Sequence, residues 1–380
     1  MKAVMFGAGN IGRGFIAELL TEAGLEVVFI DVNNKLIEAI NRQGCYRQVI
    51  VGLDVTEKQI SNVRAVDALN TQRVSDELSD CILIGISVGA GFISAVTPAI
   101  ANGLANRWEH GNHTPVNILI CENLNNADEY IKKEILLHLP DKHHVMFNES
   151  VGLLETSIGR MIPVVPEDVA KEDPAVVYVE PYKSLPYDSA AVKGIMPHIP
   201  ATVPYSPFEY YKERKLFLHN MGHFVCALLG RLLGYTYVWE AVSNPAVAFF
   251  VRSAMSYAAL ALSKKHAADY GDLLEHVDDL LFRFSNKALG DTIERVARDI
   301  SRKLAKDDRL YGAIKLCDEQ NVPSEHIWLG IAVAHLFSPD TQVENEFALK
   351  LIGILETGFD FTKIQLAINQ HKFTGEKNLV

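Results

Sequence analysis

The chain has 380 residues and a formal net charge of −11, from 36 basic and 47 acidic side chains. A hydrophobic fraction of 48% and a charged fraction of 22% are typical of a soluble globular protein with two or three domains. The acidic balance, without any basic run, excludes nucleic acid as an expected partner. No apolar run is long and continuous enough to predict a membrane-spanning helix, so no membrane partner is expected either.

The spacing of cysteines and histidines argues against disulfides and against a metal site. The cysteines are single and odd in number, which predicts reduced, structural thiols; they are Cys45, Cys81, Cys121, Cys226 and Cys317. The pair His143-His144 has no partner at zinc-ligand spacing. Because a strand-like segment begins at Ala3, we expect no signal peptide and a cytoplasmic location.

The first half of the chain alternates short apolar strands with helical stretches, a pattern typical of a parallel sheet covered by helices. Strands are predicted at residues 2–6, 26–31, 81–87, 116–121 and 144–148, with a small strand excursion within 45–66. This order indicates a Rossmann-type, doubly wound α/β sheet.

A glycine-rich turn follows the first predicted strand and opens a helix over residues 10–22. The turn reads Gly7, Ala8, Gly9, Asn10, Ile11 and Gly12, which is the GxGxxG fingerprint in its expected strand–turn–helix context. Gly7 allows the tight turn, Gly9 lets the backbone approach a pyrophosphate, and Gly12 lets helix and strand pack closely. Gly9, Asn10, Ile11 and Gly12 also form the helix N-terminus, whose N–H groups suit phosphate.

The second strand ends in an acidic residue, Asp31, 24 residues after Gly7. A carboxylate at this position bonds the adenosine ribose hydroxyls and repels a 2′-phosphate, so the predicted cofactor is NAD rather than NADP. Asn33 stands nearby instead of an arginine, in agreement with that choice. Ser87, at the end of the third main strand, is a further cofactor-binding candidate.

Prolines crowd residues 163–207, which predicts extended segments and loops joining two domains. Helical periodicity follows, and helices are predicted at 208–233, 245–266, 272–285, 291–304, 324–336 and 343–356. We therefore expect a NAD-binding domain over residues 1–195, including the proline-rich linker, and a mostly α-helical substrate domain over residues 196–380.

Three polar side chains interrupt the first helix of the second domain, at Lys215, Asn220 and His223. At about 100° per residue they fall within roughly 140° of one face, over about 12 Å of helix axis. Burying an ammonium, an amide and an imidazole among apolar neighbours costs several kcal/mol unless they have partners or line a wet cleft. The set therefore predicts a functional site, which we expect to face the cleft between the domains.

The predicted chemistry is hydride transfer from an alcohol. Lys215 can act as the base if burial and positive charge lower its pKa. Asn220 can donate its amide N–H to the reacting oxygen, and His223 can position substrate and lysine. Asn123, just past the carboxyl end of a strand, can supply a second donor.

The chain resembles the polyol-specific long-chain dehydrogenase family, and most of all its members that act on mannitol 1-phosphate. The matching segments are Phe6 to Gly14, Asp31 to Asn33, Cys121 to Asn123, Glu213 to Phe217 with Asn220, Gly222 and His223, Arg283 to Asn286, Glu294 to Val296, and Asp308 to Leu310. The resemblance implies metal-independent, reversible oxidation of mannitol 1-phosphate to fructose 6-phosphate with NAD. It also implies that Lys215 is the general base, that Asn123 and Asn220 polarise the oxygen, and that His223 assists.

Departures from the family pattern bear on the substrate. Ile158-Gly159-Arg160-Met161 replaces the Val-Asp-Arg-Ile of close relatives, Lys287 replaces a proline, and Lys212 stands where free-mannitol dehydrogenases carry a glutamate. Candidates for a phosphate site are Arg160, Lys183, Lys212 and Arg283. Two alternatives remain: a dehydrogenase of a free hexitol or a hexuronate such as tagaturonate or fructuronate, and a non-catalytic NAD-binding sensor. The expected partner is a small sugar-alcohol phosphate, and a monomer is favoured over an obligate oligomer.

Overall fold

The computed structural model describes residues 1–340 and 343–371. The chain divides into two compact units, Met1–Phe208 and Glu209–Val380. The first contains all the β-strands assigned within the described residues, and the second is built from helices. The α/β fold class followed by a mostly helical part is thereby confirmed.

A six-stranded parallel sheet forms the centre of the first unit, in the order β5-β2-β1-β6-β7-β8. Its strands are β1 (Lys2–Phe6), β2 (Glu26–Asp31), β5 (Val63–Asp67), β6 (Leu83–Ile86), β7 (Val116–Ile120) and β8 (Val151–Glu155). The order reverses between β1 and β6, as in a doubly wound sheet, and ligands of such sheets bind outside the carboxyl ends of the strands at that point.

Helices cover both faces of this sheet, and smaller strands lie beside it. The helices are α1 (Ala17–Glu22), α2 (Asn34–Gln43), α3 (Thr71–Ser79), α4 (Ile93–Glu109), α5 (Ala127–His138), α6 (His144–Ser150) and α7 (Glu167–Glu172). The smaller strands are β3 (Cys45–Val51), β4 (Val55–Ser61), β9 (Val177–Val179), β10 (Leu185–Asp188) and β11 (Thr202–Tyr205), arranged as β4-β3-β9 and β10-β11.

The sheet is held by two apolar cores, one on each face. Successive residues of a strand point to opposite faces, so Met5 and Phe29 enter one core while Val4 and Val28 enter the other. All four are fully buried. Strands buried on both faces read as continuous apolar runs, which explains why the sequence pattern identifies them.

One predicted strand is wrong. Residues 144–148 lie in the helix α6, and the sixth strand is β8, which follows directly. The sequence pattern of β8 is weakened by Gly152. Glycine is required there because a Cβ at this position would lie 2.1 Å from Asn117 Oδ1 and 2.7 Å from Ala191 O. The strand excursion predicted within 45–66 is larger than expected, since it forms the hairpin of β3 and β4 and then β5, the edge strand of the main sheet.

The second unit consists of α8 (Glu209–Arg214), α9 (Met221–Leu232), α10 (Val238–Ser243), α11 (Pro245–His266), α12 (Tyr270–Phe284), α13 (Ile293–Val296), α14 (Ile300–Lys303), α15 (Tyr311–Glu319), α16 (Glu325–Phe337), α17 (Glu346–Glu356) and α18 (Phe361–Gln370). The helix predicted over 291–304 is wrong in its continuity, because Asp299 takes a left-handed conformation between α13 and α14. Lys303 Nζ bridges the break by donating to Val296 O at 2.6 Å.

Among the helices of the described residues, α11 is long and apolar enough to cross a membrane by length and composition alone. Half of its most apolar 18-residue window is buried inside the fold, where residues such as Phe250, Ala254 and Ala258 are fully inaccessible. A core helix of this kind passes the same test, so the helix is weak evidence for a membrane.

Candidate active site

The glycine-rich turn leaves β1 at the carboxyl edge of the sheet and enters the helix without a gap. Gly7 has φ +92°, and a Cβ there would lie 2.5 Å from Ser87 O. A Cβ on Gly12 would lie 2.1 Å from Gly7 O, so only glycine lets the helix pack this closely on the turn. Gly9 is exposed and a Cβ there would meet nothing within 4 Å, which leaves room for a ligand at the tip of the turn.

The helix after the turn begins as α-helix at Asn10 and Ile11 and then widens into a π-helical segment, Gly12–Ile16, before α1. The Ala17 N–H bonds to Gly12 O, five residues back. Two buried side chains donate to Gly14 O inside this segment: Gln48 Nε2 at 3.2 Å and Arg160 Nη1 at 2.9 Å. Side-chain donors from outside the helix thus help to hold the π turn.

Asp31 lies at the carboxyl end of β2 and faces the glycine-rich turn. Its Oδ2 accepts the Ala8 N–H at 2.7 Å, and its Oδ1 accepts the Asn33 N–H at 2.9 Å. A carboxylate has about four acceptor positions, so capacity remains for hydroxyl groups of a ligand. Asn33 caps α2, with its Oδ1 accepting from Leu36 N at 3.3 Å, which gives this residue a structural role whatever else it does.

Ser87 follows β6 and closes the turn from the side, because its Oγ donates to Gly7 O at 3.3 Å. In the register of the sheet Phe6 pairs with both Ile30 and Ile86, and Ile86 pairs with Ile120. The structure therefore brings the ends of β1, β2, β6 and β7 to one edge.

This edge fits a dinucleotide. It offers an open approach at Gly9, helix N–H groups starting at Asn10, and a carboxylate at Asp31 with acceptor capacity. Asn123 is exposed, three residues beyond the end of β7 at this edge.

In the second unit, the residues Lys215–Asn220 form a second π-helical segment between α8 and α9. The Met221 N–H bonds to Leu216 O, five residues back. In an α-helix, residues five apart differ by about 140° around the axis. The i→i+5 bonds of a π segment widen the turn, so Lys215 and Asn220 lie closer to one line along the helix than the α-helical prediction implied.

Lys215 is the first residue of this π segment. Burial lowers the pKa of its ammonium to about 8, and the positive charge of Arg309 acts in the same direction. Arg309 itself bonds to Asp308, with its Nε 2.8 Å from Oδ1. A lysine with a pKa this close to neutrality is suited to accept a proton from an alcohol and to return it.

His223 lies on α9 and is held by an acid and a ring. Its Nε2 lies 2.9 Å from Asp291 Oδ2, at ion-pair distance but without the alignment of a hydrogen bond. Its ring stacks on Phe284 with centroids 4.8 Å apart and an angle of 16°. Burial alone would raise the pKa of Asp291, but His223 and Arg295 outweigh it and lower that pKa.

The sequence prediction missed two histidines near Lys215: His219 lies in the π segment itself, and His276 lies on α12. Burial, together with the charges of Arg283 and neighbouring basic groups, lowers the pKa of His219 well below its ordinary value. Burial, with Arg214 and then Arg283, lowers the pKa of His276 to about 3. The i,i+4 spacing of His219 and His223 was a usable signal, since such residues lie on one helix face.

The four candidates for a phosphate site differ in the partners that their side chains contact. Arg160 is 4% exposed in the first unit, where it binds Glu18 Oε2 and donates to Gly14 O and Glu180 O. Its acid partner is thus Glu18. Lys183 pairs with Glu22 at 3.0 Å, and Lys212 with Glu209 at 3.5 Å.

Arg283 is the fourth candidate. It lies on α12, is 6% exposed, and has Asp279 Oδ2 3.4 Å from its Nη1.

Within residues 1–340 and 343–371, no group of three or more His, Cys, Asp or Glu side chains is placed to hold a metal ion. All five cysteines are buried and free.

Two family descriptions match nearly the whole chain. Residues 1–201 match the mannitol dehydrogenase Rossmann domain, and residues 208–349 match the mannitol dehydrogenase C-terminal domain. The chain belongs to the mannitol dehydrogenase family. The prediction of a NAD-dependent polyol dehydrogenase is thereby confirmed at the level of the family, and the alternative of a non-catalytic sensor is no longer needed.

Solved structures share the fold at low sequence identity. The mannitol 2-dehydrogenase of Pseudomonas fluorescens, in a ternary complex with NAD and D-mannitol, has a TM-score of 0.70 at 18% identity, covering 98% of this chain and 87% of that one. A D-sorbitol dehydrogenase in substrate-free form has a TM-score of 0.76 at 17% identity, covering 97% of this chain and 91% of that one. At these identities the likeness concerns the fold.

Proposed function

We propose that the chain interconverts mannitol 1-phosphate and fructose 6-phosphate reversibly, with NAD and without a metal ion, and that Lys215 is the general base. The observation that carries this proposal is the lysine of the π segment, whose pKa burial lowers to about 8. A base for the hydroxyl proton must exist in any metal-free alcohol dehydrogenase, and a pKa near working pH makes a lysine effective in both directions.

The roles of the chain's own residues follow from their chemistry. Lys215 removes the proton from the reacting hydroxyl, while the amides of Asn220 and Asn123 donate to the oxygen as negative charge develops on it. His223, fixed by Asp291 and Phe284, orients the substrate beside Lys215. When bound, NAD would supply the hydride acceptor for the carbon that bears this oxygen.

Cofactor binding is assigned to the glycine-rich edge of the first unit. Gly7, Gly9, Asn10, Ile11 and Gly12 would hold the pyrophosphate through the open turn and the helix N-terminus. The adenosine ribose would bond Asp31, with Asn33 and Ser87 alongside, and the negative charge of Asp31 favours NAD over NADP.

A phosphorylated substrate is supported by Arg283. The chain as a whole is strongly acidic, so a site for a phosphate must supply its positive charge locally. The charge of Arg283 reaches His219, inside the π segment of the base, and depresses the pKa of that imidazole. An arginine fork is the preferred partner of a phosphate.

A free hexitol is the second candidate, because the chain shares its fold with a mannitol 2-dehydrogenase and a D-sorbitol dehydrogenase. A hexuronate remains a variant of this alternative. Both keep the chemistry of Lys215 and differ only at the far end of the substrate.

A substrate panel separates these candidates. Mannitol 1-phosphate, other hexitol phosphates, mannitol, sorbitol and hexuronates are assayed with NAD and NADP, with and without a chelator. We expect kcat/KM for mannitol 1-phosphate to exceed that for mannitol by at least about 100-fold. A preference for free mannitol or a hexuronate would refute the phosphate assignment, and activity lost to the chelator would refute the metal-free mechanism.

The role of Arg283 has its own test. Arg283→Met should raise KM for mannitol 1-phosphate by about 10- to 100-fold, since a charge-assisted hydrogen bond contributes ~1.5–3 kcal/mol. Arg252→Met is the matched control, because Arg252 of α11 pairs at the surface with Asp278 of α12, the helix that carries Arg283. Equal effects of the two variants would contradict the assignment.

A further inference from the structure

The carboxylate of Glu122 connects two loops at the carboxyl edge of the parallel sheet. Glu122 lies two residues beyond the end of β7, and its Oε1 accepts the Gly89 N–H at 2.9 Å. The Val88 N–H is a second favourable contact. Gly89 follows β6 and has φ +90°, a conformation that side-chain-bearing residues rarely adopt.

Gly89 precedes a helix that lacks a cap of its own. A 3-10 turn, Ala90–Phe92, leads into the 17-residue helix α4, and neither has a side-chain cap from its own N-cap residue. The first N–H groups of a helix need acceptors, and a negative charge there is stabilising. Glu122, from the loop after the neighbouring strand, accepts the Gly89 N–H immediately before the first turn of this helix.

Partial burial of the Glu122 carboxylate disfavours its charged form. Burial raises the pKa of Glu122, although the N–H groups of Gly89 and Val88 oppose that shift. A partly buried carboxylate aimed at backbone N–H groups is an ordering device, because it fixes both loops by directional bonds.

We propose that Glu122 is a positioning residue for the reaction: by clamping the start of the α4 segment to the end of β7, it holds the adjacent Asn123 in the orientation needed to donate to the reacting oxygen. This inference rests on the proposed function, in which Asn123 is such a donor.

The test is a double-mutant cycle on the full-length enzyme at saturating NAD. Asn123→Ala should lower kcat by about 100-fold. Glu122→Ala should lower kcat by about 10-fold with little change in the KM for substrate, because a misplaced donor weakens transition-state stabilisation. The double variant should be no slower than Asn123→Ala, since the clamp acts only through that amide.

Three further variants sharpen the result. Glu122→Gln keeps one acceptor for Gly89 N–H and should recover most of the lost kcat. Glu122→Asp keeps the charge but is one methylene too short, and it serves if Glu122→Ala does not fold; it should lose kcat to the same extent. Glu129→Ala, at an exposed acid in the first turn of α5, is the matched control and should match the wild type.

The outcomes separate the two proposals. Full activity of Asn123→Ala overturns the role of Asn123, and with it the clamp. Multiplying losses in the double variant, or a Glu122→Gln enzyme as slow as Glu122→Asp, overturns the clamp alone and leaves the proposed function standing.

Discussion

Removal of the Lys215 amine is the most direct perturbation of the proposed mechanism. With a pKa of about 8, a lysine is roughly 9% free base at pH 7, whereas at the ordinary value of 10.5 it is roughly 0.03%. The lowered pKa therefore raises the concentration of the reactive base by about 300-fold at pH 7. Lys215→Met, which keeps the length but not the amine, should lower kcat by about 10²- to 10⁴-fold.

The pH dependence gives the sign of the effect. Oxidation of the alcohol needs the free amine, so kcat/KM should rise about tenfold per pH unit below about 8 and then level off. Reduction of the ketone needs the ammonium, so its rate should be level below about 8 and fall above it. Arg309→Met removes the second cause of the low pKa, so the inflection should move upward, but not as far as 10.5.

The assay is NADH formation followed at 340 nm over a pH series, with NADH binding measured separately by fluorescence titration. Lys350→Met, at an exposed lysine on α17, is the control and should keep the wild-type profile. Turnover of Lys215→Met above a tenth of the wild type, or an inflection near pH 8 that persists in this variant, would show that another group is the base.

Three further predictions concern the cofactor edge and the helical core. Gly12→Ala should raise the NADH dissociation constant by about 100-fold or more, because its Cβ would lie 2.1 Å from Gly7 O; fluorescence titration checks this, and unchanged affinity contradicts it. Asp31→Ala should raise the NADP/NAD ratio of kcat/KM by about 10- to 100-fold, as ~1.4–3 kcal/mol of charge repulsion is lost. The same variant should bind NAD more weakly because the Ala8 N–H loses its acceptor. An unchanged ratio would contradict the role of Asp31. His326→Phe should raise the free energy of unfolding by ~1–2 kcal/mol, since neither ring nitrogen has a hydrogen-bond partner among the described residues. Burial lowers the pKa of this imidazole to about 4, so the wild type should lose stability relative to His326→Phe as pH falls from 6.5 toward 4, as denaturant titrations at several pH values can show.

The parallel sheet could be predicted from sequence because its strands are buried on both faces. Continuous apolar runs such as residues 27–30 of β2 leave one interpretation, and the glycine turn fixes which strand comes first. Long helices with clear ends were equally accessible: α11 has the bounds predicted for it, with Asn244 capping the Ala246 and Val247 N–H groups and Pro245 in its first turn.

The failures occur where a tertiary contact decides the local structure. Gly152 weakens the pattern of β8, and its reason is the approach of Asn117 and Ala191 from other parts of the chain. The break before α14 is bridged by the contact of Lys303 with Val296 O, which no periodicity can reveal. Among the candidate residues, Asn33 acquired a capping role that sequence alone had not separated from cofactor binding.

The two π segments were beyond prediction for the same reason, and they bear most on function. A π turn has poorer hydrogen-bond geometry than an α turn, and such turns recur at functional sites. The segment Gly12–Ile16 directly follows the glycine turn and is held by Arg160 and Gln48, which donate to Gly14 O. The segment Lys215–Asn220 begins at the proposed base and ends at the proposed amide donor.

A regular α-helix would leave Lys215 and Asn220 about 140° apart, too far around the axis for both to address one oxygen easily. The wider turn narrows that angle while it leaves His223 on the α-helical continuation, where Asp291 and Phe284 hold it. The spacing of five residues between base and amide, which looks irregular for an α-helix, is therefore the natural repeat of the turn that the chain forms there. The π turn of this helix therefore brings the proposed base and the proposed amide donor toward the same side of the helix.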